Sequence, residues 1–595
     1  MSALIFCPTA GGLELAQRIA ALLPGSEIQA RRGRVPADVG VMLFDETITA
    51  LRAGFAEGRP LIALCAAGII IRALAPVLGD KTAEPPVLAV SEDGKSVIPL
   101  LGGHRGANDL ARKLAEELEA YAAVTTAGDL VLGLALDDPP PGWRIQALAG
   151  VKPVAAALIS GGKVKLIGDA PWLASLPRDD KAALSITVSH RLDAAGDLIY
   201  RAPRIVLGVG TERGASGAAL IAHAEMVLAQ NGLAKEAVAL VASIDVKADE
   251  VAVHELARHL GVPARFFSAE RLNQEVDRLA NPSDVVLREV GCPGVSEGSA
   301  LAAVGRAGEL LVPKIKGKGV TCAVALSPVD LDPSQIGSAR GKLFIVGIGP
   351  GDAGSRTADV SAALRAVDEA VGYGLYLDLV ADLIAGKPRH ATDLGAETAR
   401  ARRALNLAAE GKSIALVCSG DAGIYALATL VFELIDREKL PEWRRLEITV
   451  LPGVSAMQTA AARLGAPLGH DFCAISLSDL LTPWPVIEKR LRAAAAGDFV
   501  IAFYNPRSDR RGWQLGKALE ILREARPPAT PVALARNLGR PGEQVTVTDI
   551  ASIQPEQVDM LTLVIVGGAD SRRLDLIDGA RIWTPRGYAA KEENA

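Results

Sequence analysis

Residues 342–349 read KLFIVGIG and run straight into Pro350-Gly351-Asp352, with a helical pattern from about Thr357. An apolar run of this length, closed by glycines, is a buried strand. The glycines let backbone approach a ligand closely at the turn that follows. The turn is not the dinucleotide fingerprint. Pro350 interrupts G-x-G-x-x-G, and no acidic residue closes a second strand at the expected place. Taken alone it is more often an ordinary strand-to-helix connection. The same pattern recurs downstream. SIALVC (413–418) leads into Ser419-Gly420-Asp421-Ala422-Gly423-Ile424-Tyr425, and EITVL (447–451) into Pro452-Gly453-Val454-Ser455-Ala456. FCAISL (472–477) precedes SDLL, and FVIAFY (499–504) precedes Asn505-Pro506-Arg507.

The pattern also extends upstream, at 3–7 with 11–23, at 60–65 with 68–78 and at 97–101 with 106–118. Strands alternating with helices predict a multidomain α/β protein, its parallel or mixed sheets flanked by helices and joined by right-handed crossovers. Ligands in such sheets sit beyond the carboxyl ends of the strands. A length of 595 residues implies about four domains. Asp137–Gly142 reads DDPPPG, which neither a helix nor a central strand continues through. Composition therefore divides the chain into 1–127, a middle region 128–203, a further α/β stretch 204–327, a Pro/Ser/Asp/Gly-rich linker 328–341, a second α/β half 342–575 and a frayed tail 576–595.

Charge and cysteine content exclude several classes. Lys+Arg 64 against Asp+Glu 69 leaves −5, so no nucleic-acid partner is indicated. The 49% apolar content supports several cores, and the 4% aromatic content suits α/β layers. The six cysteines are scattered with no CxxC pair, which points to a reducing cytoplasm rather than a disulfide framework or zinc ribbon. No metal site is expected. His254 and His259 are five apart, off a shared helical face. The longest apolar run, 59–72, falls short of the about 20 residues of a membrane span, and 1–8 lacks a basic leader.

Two upstream segments carry candidate chemistry. GIIIRALAPVLGDKTAEPPV (68–87) is followed by a hairpin-like 88–101 and then by GGHRGAN (102–108). A glycine loop with His104 at a strand's end can aim the imidazole, Arg105 and Asn108 at one cleft, although a lone loop histidine is more often structural than catalytic. GVGTERGAS (208–216), SIDVKADE (243–250) and GVSE (294–297) place Glu212, Lys247 and Glu297 near strand ends, where they could share a cleft.

GIGPGD, SGDAGIYA, PGVSAMQTAAARLGAPLGHDF, SLSDLLTPW, FYNPRS and ARNLGRPGE resemble the tetrapyrrole methylases of corrin synthesis, and among them the precorrin-3B C(17)-methyltransferases, over about 342–570. The resemblance implies two α/β subdomains, S-adenosyl-L-methionine in the cleft between them, a precorrin substrate and a homodimer. It assigns Pro350, Ser419, Gly420, Asp421, Ile424, Ser455, Ala456, Asn505 and Gly539 to the donor site. Many members have proline where this chain has Ala422. A sulfonium donor needs alignment and exclusion of water more than activation. Contraction of the ring needs a general base, for which Asp352 and Asp421 are candidates and Tyr504 a weaker third, while Asp421 reads equally as a cap of its helix. Arg507, Arg510 and Arg511 are candidate partners for substrate carboxylates.

GIIIRALAPVL, EPPV, LLGGHRGAN and VTTAGD resemble the N-terminal region of the cobalamin-synthesis G proteins. GVGTERGAS, SIDVKADE, GVSEGSAL and KIKGKGVTCAVAL resemble their C-terminal domain. The implied activity is cobalt-precorrin-5A hydrolysis, which opens a lactone and releases acetaldehyde. His104 is then the candidate base, Arg105 and Asn108 steer carboxylate or oxyanion, and Lys81 and Lys247 are alternatives. The chain departs from the family at the single Gly106, at Glu84 and at Ser91. The whole would be a bifunctional cytoplasmic enzyme of cobalamin biosynthesis. The alternative is a methyltransferase whose N-terminal half binds or delivers tetrapyrrole without turnover, and a further variant methylates another corrin carbon.

Overall fold

The computed structural model describes residues 3–23, 25–35, 41–80, 84–125, 132–393, 395–508 and 511–588, and at His104 the backbone alone. It divides into two compact units, Met1–Arg340 and Gly341–Ala595.

The first unit contains three sheets. The first has the order Met42–Phe44, Glu27–Arg31, Leu4–Cys7, Leu61–Ala63, Val87–Val90, Ser96–Leu101, Tyr121–Ala122. Leu4 to Cys7 are all buried because helices cover both faces. Ile5 and Cys7 pack with Leu15 and Ile19 on one side. Leu4 and Phe6 pack with Phe44, Leu51 and Phe55 on the other. Ser96–Leu101 pairs antiparallel with Val87–Val90, closing the hairpin read from the sequence. The middle region is a four-stranded sheet of Arg144–Ile145, Leu198–Arg201, Ser185–Val188 and Lys165–Ile167, packed on Trp143, Trp172 and Tyr200. The third sheet has the order Ala264–Phe267, Val238–Ile244, Ile205–Thr211, Val320–Leu326, Glu309–Lys316.

The second unit has two five-stranded sheets. One is wholly parallel, in the order Arg389–Thr392, Glu369–Tyr373, Ser413–Cys418, Lys342–Gly347, Glu447–Leu451. Leu343 and Ile345 enter the core on one face and Val346 on the other. The other sheet is mixed, in the order Phe472–Ser476, Val500–Tyr504, Thr562–Val566, Pro531–Arg536, Gln544–Asp549.

Two expectations are corrected. The linker 328–341 is not free chain. Asp330 accepts a hydrogen bond from the Trp143 indole at 2.9 Å, and Ser338 exchanges backbone bonds with Phe266. Nor does the tail begin at 576. Gly579–Trp583 is a strand that pairs with Arg572–Leu576 and Gly465–Ala466, and Ile582 is 1% exposed. No helix among the described residues is long and apolar enough to cross a membrane.

Candidate active site

Three turns leave the carboxyl edge of the parallel sheet and meet. Gly349 and Gly420 exchange backbone bonds of 3.1 and 2.8 Å, joining the first turn to the second. The third turn is pressed in beside them. A Cβ on Gly453 would lie 2.2 Å from Gly420 O and 2.3 Å from Gly347 O. A Cβ on Gly347 would lie 2.6 Å from Gly420 O. Both contacts are with backbone, so only glycine permits this approach. Asp421 fastens the junction. Its Oδ1 accepts from Gly423 N at 2.8 Å and its Oδ2 from Gly453 N at 3.2 Å. Ser455 then caps the helix Ala456–Leu464 in a capping box with Gln458.

The mixed sheet supplies the facing wall. Arg540, in the turn after Pro531–Arg536, reaches back across the cleft. Its Nε donates to Pro350 O and its Nη2 to Ser419 Oγ, each at 2.9 Å. Its guanidinium also lies 5.8 Å from the Tyr376 ring centre. The Tyr425 and Tyr504 rings are 5.2 Å apart, and Tyr504 Oη accepts from Met457 N at 3.3 Å. Burial pushes the phenols of Tyr504 and Tyr425 up from their ordinary values. The open cleft between the two walls measures about 270 Å³.

Its wall contains Pro350, Ser419, Gly420, Asp421, Ile424, Ser455, Ala456 and Asn505. Of the nine expected donor-site residues only Gly539 is outside it, next to Arg540, where a Cβ would meet Pro350 Cγ at 2.9 Å. Gly420 has φ +66, and a Cβ there would find nothing nearer than 3.9 Å. Small residues, backbone groups, tyrosine rings and one carboxylate make a wall whose chemistry fits a nucleoside with an amino-acid arm. Asp352 does not line the cavity. Its oxygens accept from Ser355 N and Ser355 Oγ, both at 2.8 Å, which makes it a cap of the turn Ala353–Ser355. Arg507 turns away to donate to Pro555 O, and Arg511 donates to Asn505 O. Arg510 lies outside the described residues. The sequence reading missed Arg540, Tyr376, Asn537 and the apolar rim at Met560 and Leu561. Arg540 did lie inside a motif that had been singled out, ARNLGRPGE.

The histidine loop of the first unit stands elsewhere than expected. Ser96–Leu101 runs against its neighbour, so the loop after it lies at the amino edge of the parallel strands. Gly102 (φ +72) packs there against Pro85 O, 2.7 Å from where a Cβ would be. Asn108 is buried at 7% exposure. Arg105 faces a different space, a cleft of about 860 Å³ shared with Lys113, Asp138 and Trp172. Arg105 lines that cleft and Asn108 does not, and the side chain of His104 and all of Lys81 lie outside the described residues. Further along, Lys247 Nζ is 3.5 Å from Glu250 Oε2. Glu297 is 1% exposed and accepts from Ala280 N, Asn281 N, Asn281 Nδ2 and Lys314 N. Its carboxylate is thus consumed in holding a loop. His254 and His259 bond separately, to Ala248 O and Glu225.

Residues 342–554 match the family of tetrapyrrole (corrin/porphyrin) methylases. Residues 205–325 match the cobalamin synthesis G C-terminus and 49–129 the cobalamin synthesis G N-terminal family. A precorrin-3B C(17)-methyltransferase of Sinorhizobium sp is 45% identical over 255 residues, 42% of this chain and 99% of that protein. The cobalamin biosynthesis protein CobIJ of Mycobacterium bovis is 42% identical over 252 residues, 42% of this chain and 48% of its own length, so the chain spans about half of that relative. A crystal structure of the methyltransferase CobJ is 45% identical, with a TM-score of 0.39, over 41% of this chain and 100% of that one.

Proposed function

Because the chain belongs to the tetrapyrrole (corrin/porphyrin) methylases, we propose that its second unit uses S-adenosyl-L-methionine to methylate precorrin-3B at carbon 17, with ring contraction to precorrin-4. The chain fuses two cobalamin synthesis G domains to this methyltransferase domain. The observation that carries the reading is the three-turn junction at Gly347, Gly420 and Gly453, closed by Arg540 into one small-residue cavity.

When bound, the donor supplies a methyl group already activated on a sulfonium. The chain's own work is to position and to exclude water. Gly420, Ser455 and Ala456 leave the floor low enough for a ligand to lie against backbone. Arg540 holds the first and second turns against the mixed sheet, which keeps the reacting groups in line. Asp421 is the one carboxylate in the described wall. Each of its oxygens spends one acceptor direction on a backbone amide and keeps another. It is our choice as the acceptor of the hydroxyl proton during contraction, ahead of Asp352, which is committed to Ser355.

The first unit is read as the lactone hydrolase, with His104 as base and Arg105 and Asn108 as steering groups. A non-catalytic tetrapyrrole carrier is the second reading, favoured by the place of the histidine loop at the amino edge of the parallel strands. The protein works in the cytoplasm as a dimer formed through its methyltransferase half.

The test is calorimetry with S-adenosylhomocysteine on the full chain. Micromolar binding is expected, abolished in Ala456→Trp and weakened about tenfold or more in Arg540→Ala, which loses two charge-assisted bonds. Absence of heat from folded wild-type protein would sink the reading. Asp421→Asn, which keeps one acceptor of the junction and loses the other, should weaken donor binding and lose contraction even at saturating donor. His104→Gln should lose acetaldehyde release from a lactone substrate if the hydrolase assignment holds.

A further inference from the structure

The first sheet has a second cleft, at the edge opposite the histidine loop. The chain passes outward from Leu4–Cys7 through Glu27–Arg31 to Met42–Phe44, then returns on the other side of Leu4–Cys7 as Leu61–Ala63. Connections diverge at such a reversal and leave a crevice at the carboxyl ends of the strands. A cavity of about 520 Å³ occupies this one.

Its charge is lopsided. Arg31 and Arg34 are both in the wall and both exposed, and neither has an ion-pair partner among the described residues. Thr47 and Ala67 are also in the wall. They are the first residues of the helices Thr47–Ala56 and Ala67–Leu74, and neither helix has a side-chain hydrogen bond at its N-cap. Unsatisfied amides at those helix starts add positive potential to that of the guanidiniums. The opposing carboxylate, Glu92, accepts a hydrogen bond from the Thr9 hydroxyl. Most of the remaining wall is apolar, with Leu64, Ile69 and Ile98.

The first turn, Pro8 to Gly12, is closed to phosphate. A Cβ on Gly11 would lie 3.0 Å from Glu92 Oε1, so a carboxylate already occupies the place where a nucleotide's phosphate would meet this turn. A ligand suited to this cleft has an apolar body and carboxylates set out at its edge, to be taken by Arg31 and Arg34. We infer that this switch-point cleft is a tetrapyrrole-carboxylate site of the first unit, distinct from the histidine loop. The preference for carboxylates stands on the cleft alone; the choice of a tetrapyrrole rests on the proposed function.

Cys65 lies in the same wall and is partly exposed, and burial pushes its thiol up to about 11, so alkylation run near pH 9, to a matched extent in the free protein, reports occupancy. The full chain is treated with N-ethylmaleimide with and without uroporphyrin III, a polycarboxylate macrocycle, and labelling at Cys65 is read by peptide mass spectrometry. Uroporphyrin should protect Cys65, and etioporphyrin, the same type of ring without carboxylates, should not. Arg31→Gln with Arg34→Gln should weaken protection about tenfold or more. Both side chains are on the surface, so the fold is not at stake. Lack of protection, protection unaltered in the double variant, or protection by ATP in preference to uroporphyrin would each overturn the inference. Calorimetry with S-adenosylhomocysteine on the same samples separates the two claims. Donor binding without Cys65 protection removes this site and leaves the methyltransferase. Cys65 protection without donor binding keeps the site and removes the methyltransferase.

Discussion

Gly453 and Gly420 make opposite demands on a side chain. At Gly453 an added methyl meets two backbone oxygens within 2.3 Å, and neither can move without parting the turns. Gly453→Ala should therefore cost about 1–3 kcal/mol or more and abolish donor binding. Gly420→Ala meets open space and carries only the strain of φ +66, about 1–2 kcal/mol. Urea unfolding paired with calorimetry distinguishes them; equal losses would refute the junction. Glu297 tests another kind of residue. Burial pushes its carboxyl up, and hydrogen bonds from Asn281, Lys314 and Ala280 more than reverse this, leaving it below the usual range. A carboxyl lowered by folding contributes stability that is complete above its unfolded value, near 4.5, and is lost as pH falls through the folded value. Glu297→Gln should thus destabilise at pH 7 and flatten the acid limb of the stability curve. A parallel downward shift with the acid limb unchanged would contradict it. The glycine turns were legible because each has a strand before it and a helix after it. Arg540 was not, because its partners are 190 and 121 residues away and local pattern is silent about such reach.

Strand existence was legible; strand direction had effects that were not. The stretch 88–101 reads as a hairpin, and it is one. Its second strand carries the histidine loop to the amino edge, so a rule written for parallel strands misplaces that loop. At the C-terminus, charged residues and the exposed Ile577 (109% exposed) hid the strand Gly579–Trp583. Ile582 is enclosed there with Ala460, Leu464 and Ile565. Ile582→Ala should cost about 2–4 kcal/mol, read from the midpoint of chemical unfolding. A loss under 0.5 kcal/mol, about that of a surface substitution, would restore the view of a frayed tail.

At the scale of the whole chain, each unit has its own sheets and its own cores. Calorimetric unfolding should resolve two transitions. S-adenosylhomocysteine should raise only the one belonging to Gly341–Ala595, by the logarithm of its saturation. A single transition shifted as a block would mean that the units fold as one. The boundary at 340 was legible from composition, because proline and serine crowd the chain just before a fresh strand. The reversed strand Ser96–Leu101 has a consequence for inheritance. It gives one sheet two functional rims, separated by the four residues of Val87–Val90, about 13 Å at about 3.3 Å per residue. Changes that far apart add. Arg31→Gln combined with Arg105→Gln should alter the unfolding free energy by the sum of the single effects, within about 0.5 kcal/mol. One rim is therefore free to decay while the other is maintained, and a fused chain can shed a chemistry without surrendering the domain that bore it.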